Sequence, residues 1–212
     1  MSIRIVSALA LLVVGMAAGA SHALAQTGFY VGGNIGVSRA DIDASEANQD
    51  LLSLGATSAS TTVDQSGTGF KGYGGYSFTP NLAVEFGYFD LGKFTVDSTV
   101  SPPGTAHADL KFKGFNVDVV GSLPVGTGFS LFGRVGVIHT KQDVTVSSTG
   151  SLVTLTPSDS FSKTSWKAGI GVEYMFSGGL GIRAEGEIYN VPDGSEDKAN
   201  VGLLSVGLLY RF

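Results

Sequence analysis

The chain has 212 residues, 31 of them glycine and none cysteine; 15% are charged, the formal net charge is −5, and the mean hydropathy is +0.24. An acidic chain without a basic stripe is excluded as a nucleic-acid partner, because phosphate binding needs clustered Lys and Arg. The lack of cysteine removes disulfides, thiolate metal sites and thiol nucleophiles, and no cofactor motif is present.

The first 25 residues read as a basic start ("MSIR"), an apolar run ("IVSALALLVVGMAAGA") and a small-x-small exit at Ala23-Leu24-Ala25. This is the pattern of a cleaved export signal, so cleavage between Ala25 and Gln26 is expected, leaving 26–212 as one domain. Beyond it no apolar run reaches the length of about 18 residues that a transmembrane helix needs.

What recurs instead is alternation with period two, the mark of strands with two unlike faces. Eight such segments are expected at 28–39, 68–78, 82–91, 110–123, 129–140, 162–176, 180–190 and 201–212. One helical turn or two is expected in "SEANQDLLSLG", capped by Ser45. Connections of two kinds alternate. Residues 79–81, 124–128 and 177–179 are short and rich in Pro, Gly and Asn, whereas 40–67, 92–109, 141–161 and 191–200 are longer and polar. In an up-and-down sheet this puts tight turns at one end and long loops at the other, the signature of an all-β, eight-stranded antiparallel transmembrane barrel.

The two faces separate cleanly. One carries bulky apolar residues such as Val31, Ile35, Phe86, Val117, Val137, Ile170, Ile182 and Val206. The other carries Asn34, Ser38, Tyr73, Asn116, Phe132, Tyr189 and Ser205 together with ten charges: Lys71, Glu85, Asp118, Arg134, Lys167, Glu173, Arg183, Glu185, Glu187 and Arg211. These are five basic and five acidic residues. An eight-stranded barrel has room inside only for its own side chains, so the bulky set belongs outside, facing lipid, and the small and polar set inside. A lipid-facing Lys or Arg costs roughly 2–4 kcal/mol near the midplane, while matched charges inside can pair. Aromatic residues mark the two membrane levels: Phe78, Phe129, Phe176, Tyr210 and Phe212 near the short turns, Tyr88 and Trp166 near the long loops.

"GFYVGGNIG", "GYGGYSFTPNLAVEFGYFDLG", "AGIGVEYMF", "IRAEGEIY" and "LLSVGLLYRF" together resemble the OmpA-like transmembrane domain family of Gram-negative outer membranes, over nearly all of residues 26–212. The resemblance implies an interior ion-pair network, with Glu85, Glu173 and Arg183 at matching positions. The family's interior lysine on the fourth strand falls at Val120, leaving Lys71, Arg134 or Lys167 to replace it. It also implies an assembly signal at Leu208, Tyr210 and Phe212, read by the barrel-assembly machinery, and lipopolysaccharide and outer-membrane lipid as surroundings. Longer relatives carry a periplasmic peptidoglycan-binding domain; no such tether is expected here.

The expected function is therefore a non-enzymatic outer-membrane barrel with a largely filled lumen and long extracellular loops. A narrow porin-like channel is one alternative. A lipid A-modifying enzyme built on His139, Asp143, Ser147 and Ser148 is another, while His107 is expected to be solvent-exposed. Asp41, Asp43, Glu46, Asp50 and Asp64 make loop 40–67 acidic, either a solvated face or a site of divalent-cation bridging to lipopolysaccharide.

Overall fold

The computed structural model describes residues 27–40, 45, 48–49, 52, 57–101, 104–150, 158–192 and 198–212. The proposed signal segment with its Ala25–Gln26 junction lies outside them, as do Asp41, Asp43, Glu46 and Asp50. Nine strands are present among the described residues: β1 Gly28–Ala40, β2 Ser58–Asp64, β3 Ser66–Thr79, β4 Leu82–Ser101, β5 Gly104–Pro124, β6 Phe129–Gly150, β7 Ser158–Met175, β8 Leu180–Pro192 and β9 Lys198–Arg211.

All pairings are antiparallel, and β1 with β3 to β9 form a closed cycle, because β4 pairs with β5 and β1 pairs with both β3 and β9. Closure removes every open edge from the lipid-embedded zone, which hydrocarbon demands because it offers no partner for a free N–H or C=O. The tight turns fall at one end, with Gly128, Gly178 and Gly179 at positive φ where side chains are disfavoured. The first and last strands meet there too, through a Phe212 N–H to Phe29 carbonyl bond of 3.0 Å.

The other end corrects the expected loops. Segments 92–109 and 141–161, expected to be irregular, are largely strand: β4 pairs with β5 up to Val100–Gly104, and β5 with β6 up to Gly104–Gly150. The expected loop 40–67 contains β2, which runs beside β4 from Ser58–Ser101 to Asp64–Thr95 in the same direction as β3. Ser45, Asn48, Gln49 and Leu52 within that segment are helical. Between Asp90 and Lys93 the β4 ladder shifts around Gly92, whose φ is +83°. A side chain there would also strike Thr68, since an added Cβ would lie 2.6 Å from its carbonyl oxygen. The Asp90 carboxylate accepts the Gly92 N–H at 2.8 Å and the Ser38 hydroxyl donates to the Leu91 carbonyl, so side chains satisfy backbone groups the ladder leaves over.

Register lines up the outer wall in rows. Phe86, Val117, Val137 and Trp166 lie side by side on β4 to β7, and the next row is Tyr88, Phe115, His139 and Thr164. Beyond that aromatic level come Asp90, Lys113, Lys141 and Ser162, then Lys93, Lys111, Asp143 and Ser160. From Phe115 to Gly104 the chain climbs eleven residues, about 36 Å measured along the strand, as an extramembrane sheet. That sheet's outer side carries Thr99, Thr105 and Thr149 in one row, with the Thr105 and Thr149 hydroxyls 2.7 Å apart.

Outward residues are exposed as a set, and Phe29, Ile35, Phe86, Val137, Ile170, Leu204 and Phe212 among them are 56% to 73% accessible. In water this would be an untenable surface; against acyl chains it is the required one. The interior differs from the expected small and polar filling. A cluster of Phe89, Leu91, Phe94, Phe112, Ile138 and Leu203 fills the lumen toward the extramembrane end, and Tyr30, Tyr73, Val120, Phe132 and Leu209 pack toward the tight turns. Charge occupies the zone between.

Candidate functional site

The ten charged residues of the inner face come together in that middle zone. Glu85 on β4 accepts from Arg183 on β8 at 2.7 Å through one oxygen and from Arg134 on β6 at 2.8 Å through the other. Glu85 and Asp118 stand directly opposite each other on β4 and β5, a repulsive placement that Arg134 relieves by reaching both, at 2.8 and 3.3 Å. Arg183 grips Glu173 with two nitrogens, at 2.7 and 3.1 Å, and Glu173 receives Arg211 at 3.4 Å. On the far side, Lys167 joins Asp118 at 2.8 Å and Glu187 at 2.7 Å. Lys71 reaches Glu187 at 2.8 Å and also pairs with Glu185, which lies 2.9 Å from Arg134.

Lys71, Lys167 and Arg134 supply the cations on this side of the network, and Val120 on β5 is buried in the apolar packing below. Nine of the ten residues are buried; Arg211, nearest the turn end, keeps 17% of its side chain accessible. Burying so many ions is tolerable only because each carboxylate meets cations and the sum of charge is zero.

Neutral residues complete the site; Asn34, Tyr73, Phe132 and Tyr189 were expected on this face, whereas Tyr30 was passed over. Tyr30 donates to Glu85 at 2.8 Å, Tyr189 to Glu187 at 3.0 Å, and Asn34 to Glu185 at 2.8 Å. Tyr30 sits on the inner face between outward Phe29 and Val31, so alternation alone could have found it. The Arg183 guanidinium lies 4.7 Å from the Phe132 ring centre and 4.9 Å from that of Tyr73, while Arg211 sits 5.2 Å from Tyr30. Such faces stabilise a cation without adding a charge. Every strand of the closed cycle contributes a side chain to this layer.

The rim residues weighed for catalysis are kept apart. His139 faces outward and shares a hydrogen bond of 3.1 Å with Thr164. Asp143 lies four residues further along the same strand and takes Lys113 at 2.9 Å and Lys141 at 3.2 Å. Ser147 is opposite His107. His107 is paired with Asp97 at 2.6 Å and with Asp109 at 3.3 Å. His139 and Asp143 are thus not brought together, since Asp143 is held by the two lysines and His139 by Thr164. Among the described residues there is no group of three or more acidic or histidine side chains fit to hold a metal.

A closed antiparallel wall, apolar outside and ionic within, defines a transmembrane β-barrel. The chain belongs to the outer membrane protein beta-barrel domain family, whose family model matches residues 7–212. It is an outer-membrane protein. It is 28% identical over 208 residues to Outer membrane protein A of Yersinia pseudotuberculosis serotype I (strain IP32953), covering 97% of this chain and 54% of that protein. The chain thus spans about half the length of the curated relative it matches. Among solved structures it is similar to Neisserial surface protein A, with a TM-score of 0.54, 16% identity, and coverage of 89% of this chain and 99% of that one. The outer membrane protein OprG of Pseudomonas aeruginosa is similar at a TM-score of 0.53 and 16% identity, covering 88% and 97% respectively. These two likenesses bear on the fold.

Proposed function

We propose that this protein is a non-enzymatic barrel with a structural and cell-surface role, exported by residues 1–25, whose lumen is closed to steady flow. The observation that carries the reading is the stack inside the wall. A neutral ion-pair layer spans the lumen and is bounded on one side by the apolar cluster around Phe89, Phe94 and Ile138. An ion crossing it would have to shed its water against apolar side chains and break paired charges, both of which cost heavily. Outside, Leu208, Tyr210 and Phe212 form an exposed apolar row on the last strand, which supports their reading by the assembly machinery.

The test is planar-bilayer recording with the refolded protein. Wild type is expected to give no sustained current, and Glu173→Gln, which leaves Arg211 and Arg183 short of a carboxylate, intermittent openings. Large steady wild-type currents would establish the narrow-channel alternative. For the enzyme alternative, lipid A from cells expressing His139→Ala is expected to match wild type by mass spectrometry; an altered acylation pattern would overturn the non-enzymatic reading.

A further inference from the structure

Three rings inside the wall each stand directly across the ladder from a glycine. Tyr30 on β1 faces Gly75 on β3, Tyr73 on β3 faces Gly32 on β1, and Phe132 on β6 faces Gly171 on β7. In each pair the ring lies over the bare backbone of the neighbouring strand. A Cβ added at Gly32 would come within 2.5 Å of the Tyr73 Cζ and hydroxyl, and one at Gly75 or Gly171 would strike the facing ring in the same way. Glycine inside a strand weakens it and marks a close approach, here that of a ring. The two tyrosine joints are reciprocal, since each strand of the β1–β3 pair supplies one ring and one notch.

The three rings act on one cation. The Arg183 guanidinium lies 4.7 Å from the centre of Phe132, 4.9 Å from Tyr73 and 5.8 Å from Tyr30, while its N–H groups donate to Glu85 and Glu173. Ala83, Val120, Leu209 and Met175 pack around the rings. With Arg183 on β8, this layer draws on all eight strands of the closed cycle. Accessibility changes across it. Arg211, on the turn side, keeps 17% of its side chain accessible and its partner Glu173 9%, whereas Arg183 keeps 2% and Glu85 none. Solvent entering from the turn end therefore stops at the rings.

We infer that Tyr30, Tyr73 and Phe132, seated in their glycine notches around Arg183, form a septum that shuts the turn end of the lumen, independently of the apolar cluster at the other end. A hydrated ion arriving from that side meets ring faces and aliphatic side chains, and must shed its water to go on. The guanidinium fills the gap between the rings, and their faces hold it there without a further carboxylate. A ring pushed out of its notch tilts and leaves a passage beside the guanidinium. This inference rests on the reading of the lumen as closed, and adds which side chains close it from the turn end.

The experiment is thiol labelling of the refolded barrel. The chain has no cysteine, so Ser205→Cys gives a single thiol inside the ion-pair layer, where Ser205 accepts a hydrogen bond from Asn34. The barrel is inserted into vesicles in one orientation, and a membrane-impermeant methanethiosulfonate bearing a quaternary ammonium is added to one side or the other. Labelling from the turn side is expected to be slow with the septum intact. Adding Phe132→Ala or Gly32→Ala is expected to speed it roughly tenfold, because the reaction of a covered group follows how often its cover opens. Labelling from the other side is expected to stay unchanged. Phe94→Ala, in the opposite apolar cluster, is expected to leave turn-side labelling at its original rate. Gly32→Ala keeps every ring, so it decides the matter even if loss of Phe132 prevents folding. Fast turn-side labelling with all three rings in place, or labelling that neither variant speeds, would overturn the septum; bilayers that stay silent alongside would leave the closed lumen standing. Sustained wild-type current would overturn both.

Discussion

The lumen and the extramembrane sheet are both held by ion pairs of similar length, yet the two regions use them differently. Lys167–Glu187 at 2.7 Å has neither side chain accessible to solvent, whereas Lys93–Asp109 at 2.9 Å is 48% and 24% accessible. In the lumen each charge was taken from water and depends on its partners to offset that cost. On the sheet, water and salt can substitute for either partner. The difference teaches that the inner network is a condition for the fold, and the outer one an adjustable surface.

The sharpest way to break this contrast is Arg183→Met, which leaves Glu85 to Arg134 and Glu173 to the more distant Arg211 in a dry interior. It is expected to destabilise the barrel by about 3–5 kcal/mol, read from urea unfolding in lipid vesicles by the loss of heat-modifiable gel migration. A shift below about 1 kcal/mol would show the lumen to be wet and the contrast false. Next in size is a lysine placed on two levels of one strand. Val137→Lys, facing lipid, is expected to cost roughly 2–4 kcal/mol. Thr145→Lys, on the exposed outer side of the extramembrane sheet, is expected to stay within about 0.5 kcal/mol. Equal effects would mean that the aromatic row does not mark the membrane's edge. Smaller again, Lys93→Ala is expected to cost no more than about 1 kcal/mol, and that difference should vanish in high salt.

The smallest effect is one of pH. The hydrogen bond with Asp97 holds the exposed His107 imidazolium above the ordinary histidine range. Its pairing is therefore complete below the unfolded value of about 6.5 and is lost as pH rises through the folded one. Asp109 and Asp143 are held below the ordinary carboxylate range, chiefly by hydrogen bonds from Lys93 and Lys113, so their pairing fails only as pH falls through those lowered values. Between these limits the β4–β5 hairpin is expected to be most ordered. Amide exchange at Asp97 to Asp109 should quicken on raising pH through the folded His107 value, beyond the intrinsic trend, and should not do so in His107→Gln.

How far the sequence could be read follows from what each zone demands of it. In the lipid-embedded part, every second residue must be apolar, so strands and faces stand out: Phe86 outward, Glu85 and Gly87 inward. Above the membrane that demand ends. "FTVDSTVS" carries Phe94, Val96 and Val100 on the inward face, but its other positions are hydroxyl or acidic, and polar composition made it read as a loop although it pairs throughout. The charged residues of the lumen were legible as a set because alternation puts them on one face. Their partners were not, since Lys71 on β3 meets Glu187 on β8 across the interior, at a distance set by how the barrel staggers rather than by spacing along the chain. The apolar cluster was missed because Phe89, Ile138 and Leu203 sit beside the outward apolar residues Tyr88, Val137 and Leu204, where a continuous run hides the period.

The bond between the first and last strands has a kinetic side. Val31 is paired with Tyr210 and Ala40 with Val201, so the two halves of that seam enter the growing chain some 160 to 180 residues apart. Until the final strand is delivered, β1 has a naked edge able to zip onto any stray extended segment, and contacts of such long range form slowly. The tube is thus an object that does not exist in part. A nascent chain lacking only its last dozen residues would be an open, oily ribbon, and the cell must keep that ribbon shielded for as long as the journey to the membrane takes.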